Sequence, residues 1–480
     1  MVKIDLWSIK DYQSFFLRDQ GSLIDLYSEK FLELQTDYFH AFIFKQTDLT
    51  DFFDSFKGKT FPVPISIKDN ICTRDFPTTC GSKMLENWYP EYDASIVKFL
   101  RSEGFFLIGK TNLDEFAMGN TTATSYFGPS FNPWDVNKEF SPGGSSGGAA
   151  VSVACGYCPT AIGSDTGGSL RCPASWTGVL GLKPTYGRVS RFGLVSYAHT
   201  LDQIGIIGRY AEDISKILQI ISKPDPNDMT YRQHPYIHTN LAIDRPITIG
   251  IAQDIFSSSP SDQLTLYHNS LQIIDSIPEI ELVEVKLEDL EILLPTYYVT
   301  AMGEAYSNLS RYTGEHYGFS AGEVALTRLQ GFGIESLRRI KMGSYVLQKG
   351  YDQQLYAKAQ DIREHYKSIF GSLFSKYPII ALPTMPDFAL RWDDEQTIVE
   401  NYQSDLYTVL ANLIGIPALS IPIGFGYKHN VKLPLGLQLL GDWWTEELLL
   451  KVAWEFQQKT NYHLQLTPKP KILEENYDRK

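Results

Sequence analysis

The chain has 480 residues, of which 43% are hydrophobic and 21% are charged, and its formal net charge is −13. This balance is ordinary for a globular protein and excludes the disordered, collagen-like and fibrous classes. The acidic charge also argues against a protein that grips nucleic acid by itself, because such proteins usually carry a basic face.

The first forty residues place apolar side chains at helical spacing, such as Leu26 and Tyr27 followed by Phe31 and Leu34. We therefore predict amphipathic helices over 1–40 that bury one stripe against the rest of the protein. The start lacks the apolar core and cleavage site of a signal peptide, and no run of eighteen apolar residues follows. We expect a cytoplasmic protein.

Farther along, short apolar or alternating runs predict strands, and patterns with a period of 3.6 residues predict helices. The predicted strands cover 41–44, 64–68, 105–108, 247–252, 280–287, 379–382, 418–423 and 435–440. The predicted helices cover 94–102, 261–277, much of 288–371 and 445–457. Because helices and strands interleave, we predict an α/β protein with a sheet covered by helices on both faces. A long loop over 222–246 and a solvated tail after Pro468 are also predicted.

The strand over 64–68 ends in a lysine. Alternation places Ile65 and Ile67 on one face and Ser66 and Lys68 on the other. If Lys68 is buried, its neutral, proton-accepting form is favoured. A single lysine at the end of a strand is more often a solvent-facing charge, so this residue alone decides nothing.

Two glycine-flanked serines, Ser145 and Ser169, lie 24 residues apart. Glycine allows positive φ or a close approach to a ligand, and consecutive N–H groups in such loops can hold negative charge. The run Gly-Gly-Ser-Ser-Gly-Gly could also be a flexible linker. However, a linker would not be followed at once by the apolar run 149–154, which requires burial.

Two other interpretations of the glycine-serine stretch each require residues that the sequence does not have. A phosphate-binding loop needs Gly-Lys-Ser/Thr, which is missing, and the triplet that begins at Asp165 has no second Asp-Thr-Gly to form an aspartic-protease pair. A serine nucleophile needs a base. None of the nine histidines stands in a nucleophile-elbow or zinc-like context, which leaves a lysine such as Lys68.

Together these residues closely resemble the catalytic triad of the amidase signature family. The resemblance implies that Lys68 is the base, Ser145 the bridging serine and Ser169 the nucleophile, with a cis peptide bond between Gly144 and Ser145. It also implies the amidase signature fold, in which helices cover both faces of a single large mixed β-sheet. Residues 1–480 would then form one domain, with the N-terminal helical segment 1–40 packed on its core. The matching oxyanion-hole residues are Thr166, Gly167, Gly168 and Ser169.

Within the family, the chain is most similar to the A subunits of glutamyl-tRNA(Gln)/aspartyl-tRNA(Asn) amidotransferases. The similar runs are 114–119, 181–193, 201–205, 295–298, 308–311 and 434–438. The resemblance implies a glutaminase that supplies ammonia for converting Glu-tRNA(Gln) to Gln-tRNA(Gln), and leaves the use of Asp-tRNA(Asn) open. It implies a heterotrimer with B and C subunits, in which tRNA, ATP and Mg²⁺ are handled by the B subunit, whereas this chain needs no cofactor or metal.

The same matching assigns glutamine recognition to Tyr297, Arg339 and Asp405. An arginine suits the α-carboxylate through paired hydrogen bonds, and an aspartate suits the α-ammonium group. The alternative is that Arg339 in its charged helix and Asp405 beside Leu406 are solvated surface charges.

Some positions depart from the family pattern. Asn120 stands where serine is usual, which suggests a shift in the amide side of the pocket. The spacing from Lys68 to Ser145 is slightly long, which suggests an insertion around 84–92 or 129–140. The cysteines of the Cys-x-x-Cys at 155–158 could form a redox or zinc site, but we predict buried packing.

Two other functions stay open at this stage. A free-standing amide hydrolase of the same family would cleave another amide without partners. A catalytically silent scaffold would keep the fold alone, although the intact triad argues against it.

Overall fold

The computed structural model describes residues 4–18, 20–47, 63–237, 240–257, 259–287, 289–348, 353–394 and 397–471. Residues 1–3 and 19 of the predicted N-terminal helices and residues 472–480 of the predicted tail lie outside these ranges.

The strands are β1 (Phe42–Lys45), β2 (Val63–Lys68), β3 (Phe105–Thr111), β4 (Thr160–Asp165), β5 (Leu180–Lys183), β6 (Gln203–Gly208), β7 (Ile247–Ala252), β8 (Ile280–Val285), β9 (Ile379–Pro383), β10 (Ala418–Lys428) and β11 (Val431–Gly441). The helices are α1 (Ile9–Arg18), α2 (Gln20–Thr36), α3 (Ser95–Ser102), α4 (Gly147–Ala154), α5 (Arg171–Thr177), α6 (Ala211–Ile221), α7 (Gln253–Ser257), α8 (Ser261–Asp275), α9 (Leu293–Leu309), α10 (Val324–Gly331), α11 (Ile334–Leu347), α12 (Gln353–Phe374), α13 (Ile398–Gln403), α14 (Val409–Ile414) and α15 (Glu446–Lys459).

These strands form one mixed sheet in the order β1-β3-β2-β4-β6-β5-β10-β11-β9-β7-β8. Strand β2 runs parallel to both β3 and β4, and β7 runs parallel to β8 and β9. The other neighbouring strands pair antiparallel. The prediction of a large mixed α/β sheet is confirmed.

Helices cover both faces of this sheet. Along β9, Ile379 and Ala381 belong to one apolar core, whereas Ile380 and Leu382 belong to another. Because successive strand residues point to opposite faces, the two cores lie on opposite sides of the sheet. Helices α3, α4, α6, α8 and α15 contribute to the first core, and α9, α12 and α14 contribute to the second.

Most predicted elements lie within a few residues of the observed ones, but β4, β5 and β6 were not predicted. Leu170 packs directly on these strands, so a Cβ at Gly163, Gly181 or Gly205 would come within 2.7 Å of one of its atoms. The glycines that permit this contact also remove the alternating apolar pattern by which a strand is recognised.

The two N-terminal helices contact β3 and α6. Tyr27 of α2 lies edge-on to Phe106 of β3, with ring centroids 5.7 Å apart. The N–H of Ile9, at the start of α1, donates to both carboxylate oxygens of Asp213 at 3.1 Å. Among the described helices, none is both long enough and apolar enough to cross a membrane.

Candidate active site

Two parallel strands bring Lys68 and Ser164 together. Strands β2 and β4 pair Ile67 with Ile162, so both strands end at the same edge of the sheet. Lys68 is the last residue of β2 and is fully buried. The solvent-facing alternative for Lys68 is therefore wrong.

The amine of Lys68 lies among three oxygens. Its Nζ is 2.7 Å from Ser145 Oγ, 3.0 Å from Ser164 Oγ and 3.4 Å from the Ser164 carbonyl oxygen. The amide of Asn70 also donates to Ser164 Oγ at 2.9 Å. Ser164 is thus a close neighbour of Lys68 that the motif analysis does not identify, because only its position on β4 brings it there.

Burial lowers the pKa of Lys68 from 10.5 to about 7, although the nearby carboxylates of Asp114, Asp165 and Asp202 oppose the change. A neutral amine has two N–H groups and one lone pair. When the two oxygens of Ser164 accept the N–H groups, the lone pair faces the Ser145 hydroxyl. This arrangement can take a proton from that hydroxyl.

The loop that carries Ser145 is tightly enclosed. The peptide bond between Gly144 and Ser145 is cis, as the resemblance predicts. A Cβ at Gly144 would lie 2.2 Å from a carboxylate oxygen of Asp114, so only glycine fits there. The N–H of Ser146 donates to the Ser169 carbonyl oxygen at 3.1 Å, which joins the two serine loops.

A buried ion pair supports the loop that carries Ser169. The guanidinium of Arg171 donates to the two oxygens of Asp165 at 2.9 and 3.1 Å. Burial opposes ionisation of Asp165, but Arg171 outweighs it and lowers the pKa of this carboxyl to about 2. Ser169, which lies between Asp165 and Arg171 in the chain, retains 7% exposure.

The N–H groups of this loop differ in their availability. The Gly168 N–H donates to Asp165 Oδ1 at 2.9 Å, so the assignment of Gly168 to the oxyanion hole needs correction: it holds the loop to Asp165. In the ranges that the structure describes, no oxygen accepts a hydrogen bond from the N–H groups of Thr166, Gly167 or Ser169.

Two further side chains fasten the same loop. The Thr166 hydroxyl donates to Asp202 Oδ1 at 2.7 Å, and the Thr408 hydroxyl donates to the Gly167 carbonyl oxygen at 2.5 Å. Burial raises the pKa of Asp202 to about 6. Asp202 falls in the similar run 201–205, whereas the position of Thr408 between α13 and α14 gives no sequence signal.

Arg339 is buried, so the solvated alternative is wrong for this residue. Its Nε donates to Glu335 Oε1 at 2.8 Å, and its Nη1 donates to the Tyr197 hydroxyl at 2.7 Å. The guanidinium also lies 5.5 Å from the ring centroids of Tyr298 and Tyr402. Within the described ranges nothing accepts a hydrogen bond from Nη2, which leaves that edge available for a carboxylate.

Asp405 lies at the hydroxyl end of the Tyr298 side chain. Its Oδ2 accepts a hydrogen bond from the Tyr298 hydroxyl at 2.8 Å, and its Oδ1 lies 3.4 Å from the Asn120 amide nitrogen. Burial raises the pKa of Asp405 to about 6, while Tyr298, Arg339 and Asn120 oppose the rise. Asp405 is therefore a half-buried carboxyl that is hydrogen-bonded to Tyr298, rather than a free, fully solvated surface charge.

Tyr297 lies between Tyr197 and the loop that carries Ser169. A Cβ at Gly167 would lie 2.5 Å from the Tyr297 ring, so the two residues are in direct contact. Tyr297 also forms a side-chain hydrogen bond with Tyr197, which accepts from Arg339. The structure therefore brings Tyr297, Arg339 and the 166–169 loop into one contiguous site.

The cysteines do not form a reactive pair. Cys155 and Cys158 are free thiols, and burial raises the pKa of Cys155 to about 12 and that of Cys158 above its usual value. A reactive thiol would have a lowered pKa, so packing is the better interpretation. Among the described residues, no three His, Cys, Asp or Glu side chains come together as a group that could hold a metal ion.

Residues 49–450 match the sequence profile of the amidase family. The chain is similar to the A subunit of glutamyl-tRNA(Gln) amidotransferase from Sulfurihydrogenibium sp., with 44% identity over 419 residues, 84% of each chain. It is also 44% identical over 430 residues to the A subunit of the same enzyme from Saccharolobus solfataricus, covering 86% of this chain and 87% of the other. The crystal structure of the corresponding A subunit from Thermotoga maritima is similar over 96% of each chain, with a TM-score of 0.80 and 32% identity.

Proposed function

Because the chain belongs to the amidase family, we propose that it is the glutaminase subunit of a tRNA-dependent amidotransferase. The observation that carries the proposal is the buried Lys68 amine, 2.7 Å from the Ser145 hydroxyl and next to the loop of Ser169. The similarity to glutamyl-tRNA(Gln) amidotransferases supports the choice of glutamine as substrate.

In the proposed reaction, neutral Lys68 takes the proton of Ser145 while Ser145 takes that of Ser169. The Ser169 oxygen then attacks the carboxamide carbon, and the N–H groups of Thr166, Gly167 and Ser169 hold the oxyanion. The proton on Lys68 returns through Ser145 to the leaving nitrogen, so the C–N bond breaks and ammonia departs. Water then gives a proton through Ser145 to Lys68 and attacks the acyl carbon. The proton on Lys68 returns through Ser145 to the Ser169 oxygen as the ester bond breaks, which releases glutamate.

The two charged groups on the α-carbon of glutamine would each bind a side chain of opposite charge. The free Nη2 edge of Arg339 suits the α-carboxylate, and Asp405 suits the α-ammonium group. Tyr297 would fill the space between them and Gly167, which it contacts. This arrangement would direct the side-chain amide toward Ser169.

We further propose that the chain works in the cytoplasm with B and C subunits. The B subunit would bind tRNA and use ATP and Mg²⁺ to activate the mischarged amino acid, and it would decide between Glu-tRNA(Gln) and Asp-tRNA(Asn). The net charge of −13 agrees with leaving tRNA to another chain.

The test is a glutaminase assay of the complex assembled with B and C subunits, with ammonia transfer onto Glu-tRNA measured in parallel. Ser169→Ala should abolish both activities, and a fluorophosphonate should label Ser169 in the wild type and nothing in the variant. Wild-type glutaminase turnover in Ser169→Ala would overturn the assignment. Amide hydrolysis without any association with B and C subunits would favour the free-standing hydrolase.

A further inference from the structure

Asn120 contacts three acceptors at the end of α13. Its amide nitrogen lies 2.7 Å from Ser404 Oγ, 3.1 Å from the Asn401 carbonyl oxygen and 3.4 Å from Asp405 Oδ1. The side chain is 5% exposed. Asn120 therefore stands beside the residue proposed to bind the ammonium group, rather than on the amide side suggested by the sequence.

The backbone of Asn120 is held independently of this amide. A Cβ at Gly144 would lie 2.8 Å from the Asn120 carbonyl carbon, so Asn120 packs directly on the residue before Ser145. The next N–H, that of Thr121, donates to Asp114 at 3.2 Å. Because the backbone is fixed on the triad side, the amide spans from the triad loop to the segment that carries Asp405.

We propose that Asn120 is a positioning residue for Asp405, and that its amide sets how strongly the enzyme prefers a substrate with an α-ammonium group. The inference rests on the proposed function, in which Asp405 binds that group. Tyr298 holds the other carboxylate oxygen, so Asn120 and Tyr298 together fix the direction of the carboxylate. A serine at position 120 has one hydroxyl on a shorter side chain and cannot reach all three acceptors.

The test compares glutamine with glutaramate, which is glutamine without its α-amino group, as substrates of the assembled complex. The measured quantity is the ratio of the two kcat/KM values. We expect Asn120→Ser to lower the preference for glutamine on the order of fivefold, because a hydrogen bond to a charged group is weakened. Asn120→Asp keeps the shape but puts a second carboxyl beside Asp405, so its loss of preference should be larger.

Turnover of glutaramate shows that the variants are folded and that the triad works, and it should stay close to the wild-type value. Gln403→Ala, an exposed residue of the same segment, is the matched control and should keep the wild-type ratio. If both Asn120 variants keep the wild-type ratio of kcat/KM values while Asp405→Asn loses the preference for glutamine, the role of Asn120 is overturned and the proposed role of Asp405 stands. An unchanged ratio in Asp405→Asn would overturn the proposed role of Asp405 and the inference with it.

Discussion

Ser164 holds the amine of Lys68 through two oxygens, its hydroxyl at 3.0 Å and its carbonyl at 3.4 Å. A lysine side chain has many rotamers, so a base on such a chain needs partners that fix it. When Ser164 accepts the two N–H groups of the neutral amine, the lone pair of the Lys68 nitrogen points at the Ser145 hydroxyl. The orientation of the proposed base, Lys68, thus depends on a residue of the neighbouring strand.

Ser164→Ala should lower kcat about tenfold with little change in KM, because one partner of the amine is lost. Steady-state glutaminase kinetics of the assembled complex measure both constants. The control is Ser152→Ala, a buried serine of α4 whose hydroxyl lies 2.8 Å from Ser66 Oγ and does not contact Lys68. A kcat equal to the wild type in Ser164→Ala would show that the lysine is oriented without it.

The resemblance to the amidase signature family predicts a triad of Lys68, Ser145 and Ser169, but it does not predict the residues that surround these three. Lys68, Ser145 and Ser169 lie in short motifs whose spacing is informative. Ser164 and Thr408 act through pairing and packing between segments far apart in the chain, and a local motif shows neither contact. The strands around Leu170 were missed for a related reason, because close contact there requires glycine in place of patterned side chains.

The activity should rise with pH through about 7. Lys68 must be neutral to accept a proton, and its pKa of about 7 means that the active fraction falls tenfold per pH unit below that value. Asp405 must be ionised to bind the ammonium group, and its pKa is about 6. The logarithm of kcat/KM for glutamine should therefore have a slope of 1 between pH 6 and 7 and approach 2 below pH 6.

Asp405→Asn removes the ionisation of the carboxyl at position 405. The plot of log kcat/KM against pH for this variant should therefore keep a slope of 1 below pH 6. The Arg339 charge and the Tyr298 hydroxyl face Asp405 in both proteins, so they do not account for the difference. A wild-type profile that is flat between pH 6 and 7 would contradict a lysine base.

Lys68→Met should be inactive yet stabilised at low pH relative to the wild type. The folded-state pKa of Lys68 is about 7 and the ordinary value is 10.5, so between these values the unfolded chain binds the extra proton. Wild-type stability therefore rises with pH across this window, whereas the variant lacks this contribution. The stability advantage of the variant should shrink by about 3 kcal/mol from pH 6 to pH 9. Urea unfolding at both pH values measures it, and a constant difference would mean that the amine is charged when folded.

Tyr197→Phe should raise KM for glutamine on the order of tenfold and change kcat less. The lost hydroxyl accepts a hydrogen bond from Arg339 Nη1 at 2.7 Å, and its removal frees the guanidinium to turn away from the substrate carboxylate. Tyr236→Phe is the matched control, because that buried hydroxyl lies 2.7 Å from Ser215 Oγ in a different part of the core. Equal KM values in the two variants would argue against a positioning role for Tyr197.

Thr408 offers the sharpest test of the nucleophile loop, because two substitutions separate its hydroxyl from its volume. Thr408→Val keeps the shape but loses the hydrogen bond to the Gly167 carbonyl oxygen, so the neighbouring N–H groups can move away from the oxyanion. We expect kcat to fall on the order of tenfold with little change in KM, since the interaction matters mainly in the transition state. Thr408→Ser keeps the hydroxyl and should stay near wild-type kcat. A valine variant with wild-type kcat beside a slower serine variant would show that the packing of Thr408 against Gly168 positions the loop and the hydrogen bond does not.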